Sequence, residues 1–249
     1  VHEVVIYRIE NGSEVEALRE TKNGEHTLNY APEIDFTEAT SKLKVVVSDG
    51  REGKEAIGYM KAYVNMDVAT LNVGSQPLAN NAHVKYPDAF GMVSLNDLKT
   101  YSVDYAIANE VNAKNVDFKF YCFGASGSPR LYSMDNTGKD GEFSGSTGKL
   151  SAIKVKNLTR FAILSNFDYE NATVASISSE ILSSSIAQSL LDPIAVGNVI
   201  AFRTGGSSAA GGGRIGVMKV INITEPKELV SNNATARVMT VEIKFPKKK

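Results

Sequence analysis

Ala236-Arg237-Val238-Met239-Thr240-Val241-Glu242-Ile243-Lys244-Phe245 is the stretch that decides the fold class. Side chains alternate along an extended chain. Met239, Val241, Ile243 and Phe245 therefore make an apolar face, and Val238, Thr240, Glu242 and Lys244 a mixed one. That is the pattern of an antiparallel sheet with one side toward water. Upstream, Asn198-Val199-Ile200-Ala201-Phe202-Arg203 and Ile215-Gly216-Val217-Met218-Lys219-Val220-Ile221 carry the same β-branched character. Together with the last run they read as a meander, with residues 205–213 (Gly-Gly-Ser-Ser-Ala-Ala-Gly-Gly-Gly) as a flexible loop between the first two.

The front of the chain reads as β as well. Val4-Val5-Ile6-Tyr7, Glu14-Val15-Glu16-Ala17-Leu18, His26-Thr27-Leu28-Asn29-Tyr30, Leu43-Lys44-Val45-Val46-Val47 and the run from Ala56 to Val64 are strand candidates. Val15 and Leu18 fit alternation poorly; the other runs fit it well. Asn11-Gly12, Asn23-Gly24 and Asp49-Gly50 separate them, and such pairs accept the positive φ that hairpin turns need. Turns spaced by about ten residues predict an immunoglobulin-like sandwich over residues 1–66. It lacks the Cys–Trp–Cys hallmark, because the chain has no Trp.

A boundary is expected near Asn65-Met66-Asp67, with a larger antiparallel β-rich, ligand-binding domain over residues 67–249. The fold class is thus mainly β, with one or two short helices in the second domain. Val103, Ala106, Ile107 and Val111 fall at helical spacing behind Ser102 as N-cap. Leu182, Ile186 and Leu190 mark a second helix, ended by Asp192-Pro193. The run from Phe118 to Phe123 reads as a central strand, and residues 124–150 as exposed loops.

Composition narrows the function classes. The 249 residues are 43% hydrophobic, enough for a buried core, and the formal charge is −1. Clustered Lys and Arg are confined to the terminal Lys247-Lys248-Lys249, read as a solvated tail, so nucleic acid is not expected as the partner. The single cysteine, Cys122, excludes an intramolecular disulfide and reads as a small buried hydrophobe. No stretch is apolar and long enough to span a membrane as a helix. Val1-His2-Glu3-Val4 already reads as strand, so the chain is taken as a trimmed fragment whose targeting segment is gone.

The motifs that resemble active sites fail on context. Gly211-Gly212-Gly213-Arg214-Ile215-Gly216 matches G-x-G-x-x-G, but a β-branched run follows where a dinucleotide site needs a helix. Gly145-Ser146-Thr147-Gly148-Lys149-Leu150 lacks the first glycine of a phosphate loop and has Leu150 where magnesium needs a hydroxyl. Gly124-Ala125-Ser126-Gly127-Ser128 lacks the last glycine of a nucleophile elbow. His2, His26 and His83 have no metal-type partners nearby in sequence. The stretch from Asp135 to Glu142 is oxygen-rich, but its spacing is not that of a calcium loop and Lys139 interrupts it. No catalytic residue, metal ligand or cofactor is assigned. Tyr86, Phe90, Tyr101, Tyr132 and Phe143 lie in or near loops and are the candidates for an exposed ligand-contact surface.

Val5-Ile6-Tyr7-Arg8-Ile9-Glu10-Asn11-Gly12-Ser13-Glu14-Val15, with Val45-Val46-Val47-Ser48-Asp49-Gly50-Arg51-Glu52-Gly53, resembles the immunoglobulin-like front domain of surface lipoproteins from Bacteroidetes-type gut bacteria. The stretch from Tyr101 to Phe123, Asn157-Leu158-Thr159-Arg160-Phe161, the run from Val196 to Thr204 and Gly216-Val217-Met218-Lys219-Val220 are similar to the back domain of the same group. The resemblance brings no catalytic residues with it. It implies export, an outer-membrane lipid anchor on a cysteine upstream of this fragment, and a place at the cell surface or in the periplasm. It further implies non-enzymatic ligand capture or adhesion, with a glycan, a lipid or a surface protein as partner. The rival expectations are a surface-polymer hydrolase, for which Asp88 and Asp117 are the carboxylates to watch, and a fimbria-like structural subunit.

Overall fold

A computed structural model describes residues 1–22, 31–229 and 233–248. The strand expected at His26–Tyr30, the Asn23-Gly24 turn and Lys249 lie outside the described residues. The chain forms two compact units: Val1–Asp67 with Glu170–Glu180 and Pro246–Lys249, and Val68–Tyr169 with Ile181–Phe245. The front unit thus takes back two later segments.

The front unit holds β1 (Glu3–Glu10), β2 (Ser13–Thr21), β3 (Thr40–Ser48) and β4 (Glu55–Lys61), an antiparallel sheet of order β2-β1-β3-β4. Asn11 (φ 50°) and Gly12 (φ 82°) close the first hairpin in the left-handed region, as the Asn-Gly pair predicts. Ile6 lies opposite Leu18 but Tyr7 opposite Glu16, so Ala17 is the extra residue of a bulge. The bulge explains why Val15 and Leu18 break alternation: it returns both to the face of Val4, Ile6, Leu43, Val45 and Val47, where the small core gathers. The described residues of this unit form one sheet, and the facing sheet required by an immunoglobulin-like sandwich is not among them. The helix Val174–Glu180 belongs to this unit, and its Ala175 N–H donates to Glu38 O at 3.3 Å.

The sandwich is in the back unit. Its elements are β5 (Met66–Gly74), β6 (Met92–Ser94), β7 (Lys99–Tyr101), α1 (Val103–Ala108), α2 (Glu110–Lys114), β8 (Phe118–Phe123), β9 (Ser128–Ser133), β10 (Arg160–Leu164), β11 (Leu190–Leu191), β12 (Val199–Arg203), β13 (Ile215–Ile223) and β14 (Val238–Pro246). One sheet runs β10-β12-β13-β14-β5 and the other β11-β9-β8-β6-β7. Phe118, Phe120, Cys122 and Leu131 of the second pack against Phe161, Ile200, Phe202, Met218, Val241 and Ile243 of the first. Phe118 and Phe161 meet edge to face with ring centroids 5.8 Å apart. A third layer covers the outer side of the second sheet: Val103, Ala106, Ala113, Phe143 and Leu150 on Met92, Tyr121 and Tyr132.

Several expectations change here. The first helix is two, because Asn109 is extended (φ −163°) and caps α2 by accepting from Asn112 N–H at 2.9 Å. Ser102 caps α1 as expected, at 3.2 Å from Tyr105 N, but Val111 is exposed. Leu182, Ile186 and Leu190 do not share a helix: Ser185 Oγ donates to Leu182 O at 2.7 Å in a short 3-10 turn, Gln188 exchanges backbone hydrogen bonds with Phe161, and β11 pairs with β9. Residues 124–150 are not all exposed loop, since they contain β9 and the fully buried Phe143 and Leu150. The glycine loop is folded down: Ala210 is buried in the core, Ser207 Oγ donates to Asn157 Oδ1 at 2.7 Å, and Ala209 N–H donates to Lys114 O at 2.9 Å. On the mixed face of β14, Lys244 is buried, with Nζ 2.6 Å from Tyr169 O and 4.4 Å from the Tyr169 ring centroid.

Candidate ligand groove

A groove of about 480 Å³ in the back unit is lined by Thr70, Leu71 and Asn72 of β5, by Asp88 and Phe90, and by Leu98, Lys99 and Thr100. β5 and β7 are the terminal strands of their respective sheets, so the groove runs where two sheet edges leave side chains uncovered. Local hydrogen bonds hold its walls. The Thr100 hydroxyl donates to Asp88 O and accepts from Phe90 N–H at 3.3 Å, which ties the Asp88–Phe90 loop to β7. Thr240 Oγ1 donates to Asn72 Oδ1 at 2.8 Å and fixes that amide. Leu98 sits at φ 52°, a left-handed conformation that a leucine adopts only under constraint. Its neighbour Leu95 is held by Asp117, whose Oδ2 accepts Leu95 N–H at 2.8 Å.

The five aromatic candidates do not come together. Phe90 lines the groove. Tyr86 is half-buried against Ala89, Leu229 and Val238. Tyr101 stacks on Tyr105 with centroids 4.0 Å apart and donates its hydroxyl to Asp97; burial and then that carboxylate push its pKa up. Tyr132 and Phe143 are buried, which corrects their expected exposure. Both rings lie 5.9 Å from the Lys119 ammonium, itself inaccessible to solvent. Lys119 Nζ donates to Asp140 Oδ1 at 2.6 Å, and Lys156 Nζ reaches Asp140 Oδ2 at 2.7 Å. Burial lowers the Lys119 pKa and Asp140 opposes that shift. The two aromatics therefore wall a structural ion pair.

The other chemistry-like motifs find structural partners. The Gly145–Lys149 turn holds an anion, but the anion is Asp104: Ser146 N–H donates to its Oδ2 at 3.0 Å and Thr147 N–H to its Oδ1 at 3.0 Å. The Ser146 hydroxyl, then Thr147 and Asn80, hold the Asp104 carboxyl well below its usual pKa. In the oxygen-rich stretch, Asp135 is bridged by Arg160 through two contacts of 2.8 Å. Among the described residues no group of three or more His, Cys, Asp or Glu is placed to hold a metal ion. Cys122 is buried, and burial pushes its thiol up to about 12. Asp117 is buried too, and loss of hydration pushes its carboxyl up to about 6 against the hydrogen bonds from Ser208 and Leu95. Asn72 and Lys99 escaped sequence reasoning, and Asp88 entered it only as a hydrolase carboxylate, because the polar half of the groove comes from three separated segments with no shared spacing.

No family model matches the sequence, and no curated protein matches it. Among solved structures the chain is similar to a DUF4466 family protein from Parabacteroides merdae, with 14% sequence identity, a TM-score of 0.46, and coverage of 98% of this chain and 85% of that one.

Proposed function

We propose that this chain is a non-enzymatic binding protein that works outside the cytoplasm and captures a carbohydrate in the groove beside Phe90. The composition of the groove carries the reading. A sugar presents a C–H face and a ring of hydroxyls. The Phe90 ring answers the first; Asn72, Asp88, Lys99 and the threonines answer the second. A lipid chain favours an enclosed, apolar pocket instead. Hydrolysis of a glycoside ordinarily needs two carboxylates at the scissile bond. Asp88 is the single carboxylate among the described lining residues, and Asp117 is buried with its oxygens toward Leu95 and Asn157. Placement at the cell surface and a lipid anchor upstream rest on the resemblance of the 45–53 and 196–204 stretches to surface lipoproteins, and the front unit then acts as spacer or docking module.

A glycan array followed by calorimetric titration of its best hit tests this. Phe90→Ala is expected to weaken binding by up to about tenfold, the scale of one lost aromatic contact. An array without hits, binding unaffected by Phe90→Ala, or turnover of a bound glycan contradicts the proposal.

A further inference from the structure

β4 pairs with β3 and, among the described residues, with no other strand. All seven of its residues are exposed, including Ile57 at 52%, Tyr59 at 65% and Met60 at 60%. An accessible apolar edge of this kind is a template for another strand. The direction of its free backbone groups follows from the ladder. Ala62 N–H donates to Ser41 O at 2.9 Å, and Asp49 N–H donates to Lys54 O at 3.3 Å, so the even-numbered positions face β3 at both ends of the pairing. Antiparallel pairing alternates. Glu55, Ile57 and Tyr59 therefore turn their N–H and C=O groups away from β3.

The sequence Glu55-Ala56-Ile57-Gly58-Tyr59-Met60-Lys61 is complementary to its own reverse about Gly58. An acid and a base stand at the two ends, and apolar side chains stand at mirrored positions between them. We propose that β4 pairs antiparallel with β4 of a second copy of this chain, on a two-fold axis at Gly58. Ile57 and Tyr59 then face the partner's Tyr59 and the partner's Ile57 at hydrogen-bonded positions, where each pair exchanges both N–H···O bonds. Gly58 meets the partner's Gly58 at the closer, non-hydrogen-bonded spacing of about 4.5 Å between Cα atoms. That position is open, since a Cβ on Gly58 would meet nothing within 4 Å. Glu55 lies opposite the partner's Lys61 at each end. Lys61 Nζ lies 3.0 Å from Glu170 in its own chain and, with its side chain 44% exposed, is accessible to the partner's Glu55. A slip that keeps the outward groups in phase sets Ile57 or Tyr59 opposite itself and loses both charge pairs. The charges therefore select this register.

Sedimentation velocity of the intact chain, from micromolar to millimolar concentration, tests the proposal. A concentration-dependent dimer is expected. E55K and K61E each place two like-charge pairs across the axis and are expected to weaken the dimer by roughly tenfold. In an equimolar mixture of the two variants, the mixed dimer again sets one acid opposite one base at each end of the paired strands. The mixture is therefore expected to restore the wild-type affinity. A chain monomeric throughout the range, a dimer indifferent to E55K, or a mixture no tighter than either variant alone overturns the proposal.

Discussion

The side-chain amide of Gln76 completes the edge of β8 at Cys122: Nε2 donates to Cys122 O at 2.7 Å, and Cys122 N–H donates to Oε1 at 2.9 Å. A side chain here stands where a neighbouring strand would. β6 reaches only from Met92 to Ser94, paired with Lys119 and Phe118, so that side of β8 at Cys122 lies beyond the ladder. Gln76 is buried and Cys122 is inaccessible to solvent. Gln76→Ala leaves two buried backbone groups unpaired, at about 1–3 kcal/mol for each. Urea denaturation is expected to show a loss of roughly 3 kcal/mol on that scale; a loss within measurement error contradicts the bond pattern.

Lys119 and Asp140 form a buried ion pair whose two halves are not equivalent. Asp140 keeps Lys156 at 2.7 Å if Lys119 is removed, whereas Lys119 loses its one carboxylate contact if Asp140 is removed. Removing one partner of a buried pair typically costs about 3–5 kcal/mol because the other charge is left uncompensated; Lys119→Met leaves Asp140 paired with Lys156, so that cost falls on Asp140→Asn alone. Asp140→Asn is expected to destabilise by several kcal/mol and Lys119→Met by much less, both read by denaturant unfolding. Equal losses contradict the asymmetry.

What was legible in the sequence and what was not divide along a physical line. β14 and the Asn11-Gly12 hairpin were legible because their signals are local: alternation in one, two positive-φ residues in the other. β9 was not. Leu131 and Tyr132 sit between a Gly-Ser turn and a Gly-Asp-rich stretch, and the surrounding composition outvoted a six-residue strand. Burial of Lys119 and Phe143 was invisible for another reason. Alternation assigns residues to a face but does not say what covers that face. The cover is the turn at Asp140–Glu142, whose Asp140 lies 21 positions from Lys119 in the chain. Of the candidate site, Phe90 alone was found in advance as a ligand contact, since Asn72, Asp88 and Lys99 converge on it through topology.

Gly216 sits under an aromatic pair. It lies opposite Phe202 in the β12–β13 register, and the Phe202 and Phe245 rings meet with centroids 5.2 Å apart. A Cβ at Gly216 would fall 2.4 Å from Phe202 Cζ and 2.7 Å from Phe245 Cδ2, so one methyl group must displace two core rings. Overpacking of this kind costs about 1–3 kcal/mol. Gly216→Ala is expected to lower the thermal midpoint and to perturb the ring-proton NMR signals of both phenylalanines. Unchanged ring signals contradict the geometry. The residue that completes an apparent nucleotide motif is a spacer in a strand.

Asp117 gives the back unit a pH-dependent stability of defined sign. Burial raises its folded pKa to about 6 from the ordinary 3.8, so between these limits the folded state binds the proton and the unfolded chain does not. Its contribution to stability is complete below the lower value and is lost as the pH rises through the upper one. A shift of this size corresponds to about 3 kcal/mol. Asp117→Asn keeps an acceptor for Leu95 N–H but cannot titrate, so the variant is expected to lose this component of the slope between the two limits. Denaturant midpoints of the wild type and the variant, measured across that range, check it. Wild-type and variant curves that run parallel would mean that the carboxyl titrates normally and that the site is wetter than its burial implies.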